Sequence, residues 1–434
     1  MSGRTGKAAS TRRHFDLRAL CVRLHRWAGL ALALFLILAG LTGSVIAFNA
    51  EIDRWLNPDL LRARTSGPVL SPETLRRRLA EQDPKVEIRY LPFRIDPDAT
   101  IELQVTARTD PATGRPYPVD YDQVFLDPPS GDLLGHRKYG ACCFGRRQIV
   151  PFLYTLHYSL AAGTPGELFM GGVALLWFFD GFLALFLTWP RVRPFLTKWR
   201  RAWTVKPGAG GYRLAFDLHR AGGLWLLGVL PVLAMSGVAL TLDEPVFRPL
   251  VSLFSPLTPS PFETLGNRPA PTATSEPDRP ALSYDRVVAL AAEAGRARGW
   301  PQPPAALYDL TTSLGIYVVY FYDSTDSRFK GLGSPRLFLD RRDGSVLRAE
   351  APGMGTGMGT GMGTGPLTPG DIFLGLQFGL HSGRVLGLFG RIVVALAGLA
   401  TAMLAVTGLV IWWKKRQARR SSRKTPSAGR GPIR

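Results

Sequence analysis

The sequence predicts a membrane protein of four transmembrane α-helices in two tandem repeats, each repeat carrying a small α+β module outside the membrane. Three observations lead to this prediction. Four apolar windows reach the length of about 20 residues that a bilayer-crossing helix needs, basic residues flank those windows, and several sequence blocks recur at fixed offsets. The windows are 27–48, 167–189, 222–243 and 385–413.

The charge distribution gives the expected topology. Of 434 residues, 53 are Lys or Arg and 33 are Asp or Glu, so the net charge is +20. The excess lies in the stretches 1–26, 190–220 and 414–434, which hold seven, eight and nine basic residues and at most one acid each. The positive-inside rule makes these flanks cytoplasmic. A nucleic-acid-binding function is disfavoured, because that would need the charge gathered on one folded module.

We therefore expect a multi-pass protein of the bacterial inner membrane with both termini in the cytoplasm. The first window is longer than a signal-peptide core, and we expect it to be retained. In order, the predicted segments are a cytoplasmic N-terminus (1–26), helix 27–48, an outside module (49–166), helix 167–189, a cytoplasmic loop (190–221), helix 222–243, a second outside module with Pro- and Gly-rich linkers (244–384), helix 385–413 and a cytoplasmic tail (414–434).

Internal repeats connect the two halves of the chain. At an offset of 194, "LHRWAGL" from residue 24 matches "LHRAGGL", and "LTGSV" from residue 41 matches "MSGVA". At an offset of 224, "LHYSL" from residue 156 matches "LHSGR". In the outside segments, "VFLDPPSGDLL" from residue 124 matches "LFLDRRDGSVL" at an offset of 213, and each is preceded by a Ser-started helical stretch and an alternating strand.

The repeats preserve four of the six histidines. His25 and His219 are predicted at the cytoplasmic ends of the first and third helices, and His157 and His381 just before the second and fourth helices, at the outer side. A single histidine at a helix end is more often an interfacial polar residue. Repetition at matched depth instead favours axial ligands, two for each of two b-type haems stacked across the membrane.

Neighbouring residues fit this interpretation to different degrees. Arg26, Arg220 and Arg384 could pair with haem propionates, although topology alone also accounts for the first two. The glycines that we expect to admit a flat macrocycle beside the histidines are Gly29, Gly223 and Gly383.

Asp180 lies within the second window, where a lone carboxylate is costly. We expect it to make an interior hydrogen bond rather than to serve as a proton relay.

Other sulfur and glycine motifs are assigned simpler roles. The adjacent Cys142 and Cys143 could form a strained, redox-active disulfide, but a pair of thiols is favoured. The Gly/Met repeat at 354–365 is expected to be a linker rather than a Cu(I) site. The chain has no C-x-x-C-H for covalent haem and no G-x-G-x-x-G between a strand and a helix for a dinucleotide, so any electron donor must be a separate molecule.

The blocks "LHRWAGL", "LHYSL", "DLHRAGGL", "LHSGRVLGLFGR" and "VTGLVIWWKKR" resemble the PepSY-associated transmembrane family over roughly 20–415. The resemblance implies periplasmic PepSY-like modules. In the ferric-siderophore reductase members it implies two b-type haems on helix-end histidines, at positions that match His25, His157, His219 and His381. The expected partners are the inner membrane, a separate electron donor and a ferric siderophore or other ferric chelate. A haem-free periplasmic binding, sensing or assembly module anchored by four helices is the alternative, and a siderophore permease is less favoured.

Overall fold

The computed structural model describes residues 16–208, 210–259, 281–323, 334–351 and 368–424. The predicted Gly/Met linker at 354–365 and most of the linker at 255–282 lie outside the described residues. The described residues form two compact units. One draws on Met1–Ile37, Leu175–Pro231 and Ala400–Arg434, and the other on Leu38–Ala174 and Val232–Leu399.

The described part of the chain is rich in α-helix. In chain order the helices are α1 (Leu17–Ile46), α2 (Asn49–Leu56), α3 (Pro58–Leu61), α4 (Pro72–Gln82), α5 (Ile149–Ser159), α6 (Gly163–Thr188), α7 (Phe195–Trp199), α8 (Gly211–Trp225), α9 (Leu230–Thr241), α10 (Arg248–Ser252), α11 (Tyr284–Ala297), α12 (Pro369–His381) and α13 (Gly387–Lys424). Short 3-10 turns cover Arg200–Trp203 and Arg384–Leu386, and a π turn covers Asp243–Phe247.

Three helical segments are long and apolar enough to cross a membrane. They are α1, α6 and the segment Arg384–Ser421, which contains most of α13. Between 22% and 28% of each most apolar window is buried, so the protein leaves most of each window partly or wholly uncovered. The outward faces carry large apolar side chains such as Leu34, Phe179 and Leu396, each more than half exposed. Such faces are suited to lipid rather than water.

The third predicted span departs from a single straight helix. Helices α8 and α9 qualify as a span only together, and they are bent by 70° at a short break. Pro231 in the first turn of α9 has no backbone N–H to donate, and its ring would clash with the carbonyl four residues earlier in a continuous helix. The third predicted helix, 222–243, is therefore corrected to a bent pair, and the described residues contain three continuous candidate spans, or four if this pair counts as one.

Eight antiparallel strands form one sheet, in the order β4-β3-β2-β1-β5-β6-β7-β8. The strands are β1 (Val86–Pro92), β2 (Ile101–Ala107), β3 (Gln123–Leu126), β4 (Leu133–Arg137), β5 (Pro304–Leu310), β6 (Ile316–Phe321), β7 (Arg336–Asp340) and β8 (Val346–Glu350). The predicted strand–turn–strand blocks form β3–β4 and β7–β8. Gly131 and Gly344, 213 residues apart, occupy the positive-φ position of the two turns.

The two predicted modules share this sheet instead of standing apart. Strand β1 pairs with β5 through Tyr90↔Tyr308 and Leu91↔Leu307. Each half-sheet would otherwise leave an edge strand with unpaired backbone groups, and pairing the two edges satisfies those groups. The structure thus combines the two predicted modules into one continuous layer.

Helices α4 and α11 cover one face of the sheet. Each begins at a serine, as the sequence predicts: Ser71 accepts a hydrogen bond from the Thr74 N–H, and Ser283 accepts one from the Arg286 N–H. The shared core contains Leu75, Leu79, Val287 and Ala291 from the helices and alternate residues of the strands. One side-chain face of the sheet is therefore buried, and the other is left for separate contacts.

Candidate functional site

The four repeat-related histidines form two pairs, one in each compact unit. His25 in α1 and His219 in α8 have ring centroids 6.1 Å apart with an interplanar angle of 51°. His157 in α5 and His381 in α12 also have ring centroids 6.1 Å apart, with an angle of 60°. The structure brings together the partners that the sequence predicts.

The helix positions of the histidines need one correction. His25 and His219 were expected at helix ends, but α1 begins at Leu17 and α8 at Gly211, so each histidine lies eight residues inside its helix. The polar and basic residues that precede these apolar windows are helical, but they do not raise the mean hydropathy. The helices therefore begin earlier in the sequence than the apolar windows indicate. His157 and His381 do lie at the ends of their helices, α5 and α12.

Hydrogen bonds fix the rings of the first pair. Both carboxylate oxygens of Asp180 lie 3.0 Å from the His25 Nδ1. The His219 Nδ1 lies 2.8 Å from the Leu404 carbonyl and 3.2 Å from the Thr407 hydroxyl. Asp180 is buried, and the predicted interior hydrogen bond is confirmed.

The second pair is held in a similar way by neutral acceptors. The His157 Nδ1 lies 3.1 Å from both the Ala39 carbonyl and the Thr42 hydroxyl. The His381 Nδ1 lies 2.9 Å from the Ser236 hydroxyl. Both hydroxyls donate their own hydrogen to helix carbonyls one turn back, so they accept from the imidazoles.

These contacts define the tautomer of each ring. Carbonyls and carboxylates only accept hydrogen bonds, and the Thr42 and Ser236 hydroxyls already use their hydrogens, so Nδ1 carries the proton. Every hydrogen bond that these four rings make with the described residues runs through Nδ1. The lone pair of each neutral ring is therefore on Nε2, the nitrogen left to bind a metal.

Small residues allow the rings to lie against neighbouring helices. A Cβ at Gly43 would lie 2.9 Å from the His157 Cε1, and one at Gly408 would lie 3.2 Å from the His219 Cε1. Gly237 is less crowded, with a Cβ position 3.7 Å from the His381 Cε1. These three glycines thus accommodate histidine rings, and the sequence indicates two of them, because Gly43 and Gly237 belong to the repeated "LTGSV" and "MSGVA" blocks.

The three glycines predicted beside a macrocycle have different environments. A Cβ at Gly29 or Gly223 would meet no atom within 4 Å, so space is open one helical turn beyond His25 and His219. Gly383 has φ of 73°, and a Cβ there would lie 2.3 Å from the Gly390 carbonyl oxygen. Gly383 therefore permits a close backbone turn, and its expected contact with a macrocycle is not supported.

The predicted arginines are also not equivalent. Arg220 donates to the carbonyls of Ala202 and Arg201 and to the Asp217 carboxylate, so its guanidinium is already held within the protein. Arg26 and Arg384 are half-buried. Their predicted pairing with propionates stays a prediction.

A capping box positions the helix that ends at His381. Asp371 accepts hydrogen bonds from the Thr258 backbone and hydroxyl and from the Thr368 backbone, while the Thr368 hydroxyl accepts from the Asp371 N–H. Burial by itself would raise the pKa of Asp371, but the hydrogen bonds from Thr258 and Thr368 lower it below the usual range. This ionised carboxylate therefore secures the start of α12.

Two further features lie outside the histidine pairs. Cys142 and Cys143 have their sulfur atoms in direct contact, and the expectation of two thiols stays a prediction. A cavity of about 390 Å³ lies on the sheet face opposite α4 and α11, lined by residues that include Arg89, Tyr308 and Arg336.

Among the described residues, no cluster of three or more His, Cys, Asp or Glu could hold a metal ion. Each histidine pair can instead supply two nitrogen ligands to a metal whose other ligands belong to its own cofactor. Sequence reasoning identified all four histidines but missed their hydrogen-bonding partners Thr42, Ser236 and Thr407.

The apolar spans and the antiparallel sheet define a multi-pass membrane protein. The chain belongs to the family described as PepSY-associated TM region, whose model matches residues 22–415. The resemblance seen in the sequence motifs is thereby confirmed. No curated protein matches the sequence.

Proposed function

We propose that this protein is a haem-b electron-transfer protein of the bacterial inner membrane. It takes electrons from a separate donor on the cytoplasmic or membrane side and passes them to a periplasmic ferric chelate, a ferric siderophore. Each electron reduces one Fe(III) to Fe(II), which binds the hard oxygen ligands of siderophores more weakly, so the metal is released.

The observation that carries this proposal is the equal spacing of the two imidazole pairs. An imidazole nitrogen binds a metal at about 2.0 Å, so two rings that hold one metal between them have centroids roughly 6 Å apart. Both pairs have a spacing of 6.1 Å. The distances thus fit iron bound between His25 and His219 and between His157 and His381.

The proton positions support the same assignment. A neutral imidazole that donates from Nδ1 presents the Nε2 lone pair in a fixed direction, as axial ligation of haem requires. When bound, each haem would supply one-electron chemistry at its iron. The chain's contribution is to hold both rings, and the open space beside Gly29 and Gly223 leaves room for a flat group at the first pair.

The tandem duplication is part of the proposal and has support from matched contacts. Thr42 and Gly43 contact His157, and Ser236 and Gly237, each 194 residues later, contact His381. The four strands β1–β4 and the four strands β5–β8 occupy corresponding halves of the sheet. A duplicated unit would produce two similar ligand pairs without requiring separate origins for them.

A haem-free binding or sensing role is the second candidate, and the cavity on the sheet face opposite α4 and α11 favours it. Arg89 lies beside Tyr308 and Tyr320 there, a combination suited to an anionic aromatic or phenolic ligand, while Arg336 is already paired with Glu350. This role would leave the two histidine pairs unexplained, so we rank it second.

Reoxidation kinetics test the electron-transfer proposal. The purified protein, reconstituted in liposomes and reduced with dithionite, should return to its oxidised spectrum when a ferric siderophore is added and should produce Fe(II). His136→Ala removes a histidine outside both pairs and should leave the rate unchanged, whereas His157→Ala should slow it at least tenfold. Equal rates in both variants, or no reoxidation by any ferric chelate, would contradict the proposal.

A further inference from the structure

His25 differs from the other three histidines in the group that accepts its Nδ1 hydrogen. His157, His219 and His381 donate to carbonyls or hydroxyls, which are neutral. His25 donates to a carboxylate, and its Nδ1 is equidistant from the two oxygens of Asp180. One histidine pair therefore contains a carboxyl partner that the other pair does not have.

Asp180, the carboxyl partner of His25, is buried within an apolar helix, and this position points to a functional role. The residue is 7% exposed and lies inside the apolar helix α6, where an ionisable side chain is expensive and usually functional. Within the described ranges, His25 is the hydrogen-bonding partner of its carboxylate. The simplest ring support, a backbone carbonyl, serves His219. A carboxylate is thus not needed merely to orient an imidazole.

A carboxylate acceptor changes the electronic character of the imidazole that donates to it. It draws the Nδ1 proton away from the ring and increases the electron donation of Nε2 to a bound metal. Stronger donation stabilises the more positive, oxidised state of the metal and lowers the reduction potential. A neutral acceptor such as the Ser236 hydroxyl increases the electron donation of Nε2 less and therefore lowers the reduction potential less.

We propose that Asp180 is a positioning and tuning residue that lowers the reduction potential at the His25–His219 pair below that at the His157–His381 pair. This inference rests on the proposed function. With an iron held at each pair, one electron would pass from Fe(II) held by His25 and His219 to Fe(III) held by His157 and His381. The direction of transfer, toward the second pair, is favoured by the structure of the protein itself.

Equilibrium redox titration, followed by the haem absorption bands, tests the inference without measuring turnover. In Asp180→Asn one midpoint potential should rise while the other stays constant. The equilibrium constant for transfer between the pairs should fall about tenfold, which corresponds to about 59 mV for a one-electron couple. Asp180→Glu keeps the carboxylate and should retain the lower potential. Thr407→Val, which removes a neutral group beside His219, is the matched control and should change the potential less.

Single-pair variants identify the haem that responds. His157→Ala should retain only the haem of the first pair, and His25→Ala only that of the second, and the first should have the lower potential. Equal or reversed potentials would overturn the inference, even if Asp180→Asn fails to retain its haem. Unchanged potentials in a haem-loaded Asp180→Asn protein would also overturn it. Absence of haem from the wild-type protein would instead overturn the proposed function.

Discussion

Gly43→Ala and Gly237→Ala make the same chemical change at two related positions, and the structure predicts opposite results. The new Cβ at position 43 would lie 2.9 Å from the His157 Cε1, whereas unstrained carbon atoms pack at about 3.5–4.0 Å. The ring would have to withdraw by about 0.6 Å to reach that range. Its Nδ1 contacts with Ala39 and Thr42, both 3.1 Å, would then be stretched or broken.

The expected magnitudes follow from two opposing effects. Replacing a helical glycine by alanine contributes up to about 1 kcal/mol of stability, and overpacking costs about 1–3 kcal/mol. Gly43→Ala should therefore be destabilising by up to about 2 kcal/mol. Gly237→Ala should be neutral or stabilising, because its Cβ would meet the Ala174 Cβ at 3.4 Å and the His381 Cε1 at 3.7 Å, which are ordinary contacts.

Thermal unfolding in detergent and haem content per chain measure the two consequences. Gly43→Ala should lower both the midpoint temperature and the haem content, while Gly237→Ala should preserve both. Equal behaviour of the two variants would refute the reasoning that Gly43 is required by the close approach of His157.

Three other predictions concern different parts of the protein. His25→Ala should remove one of the two proposed haems by pyridine haemochrome assay, and loss of both or of neither would contradict separate pairs. Arg137→Ala should cost about 3–5 kcal/mol in thermal or denaturant unfolding, because it leaves the buried Asp53 carboxylate unpaired; a change below about 1 kcal/mol would contradict this. Because the pKa of Asp371 is lower in the folded than in the unfolded protein, its ionised carboxylate stabilises the fold at pH values above the unfolded-state pKa. This contribution is lost as the pH falls through the folded-state pKa. Asp371→Ala should therefore flatten the acid side of the stability–pH profile, and an unchanged profile would count against the assignment.

Local patterns were sufficient to predict much of the fold. Serine caps at Ser71 and Ser283, the strand–turn–strand blocks and the long apolar windows depend on neighbouring residues, and the structure contains them all. The joining of β1 to β5 depends on two segments more than 200 residues apart, and an edge strand does not specify its partner in sequence. The bend between α8 and α9 is followed directly by a visible sequence signal, Pro231, which average hydropathy conceals.

The residues of the candidate site could be predicted from sequence where they lie in repeated sequence blocks. The histidines were found because matching blocks contain them, and Thr42 and Ser236 are in such blocks but have side chains that are common in membrane helices. Asp180 was recognised as an unusual residue, yet its partner His25 is 155 residues away and on another helix. That contact depends on how the helices pack, and the sequence separations between matching blocks do not determine the packing.

The most direct test of the central claim is the number of b-type haems bound per chain. The protein should be purified in mild detergent after expression with ample haem, and its haem quantified by the pyridine haemochrome assay together with a reduced-minus-oxidised spectrum. Two haems per chain, both low-spin as expected for axial histidine pairs, is the predicted result. A protein that folds and binds no haem would contradict the account and would favour the binding or sensing role.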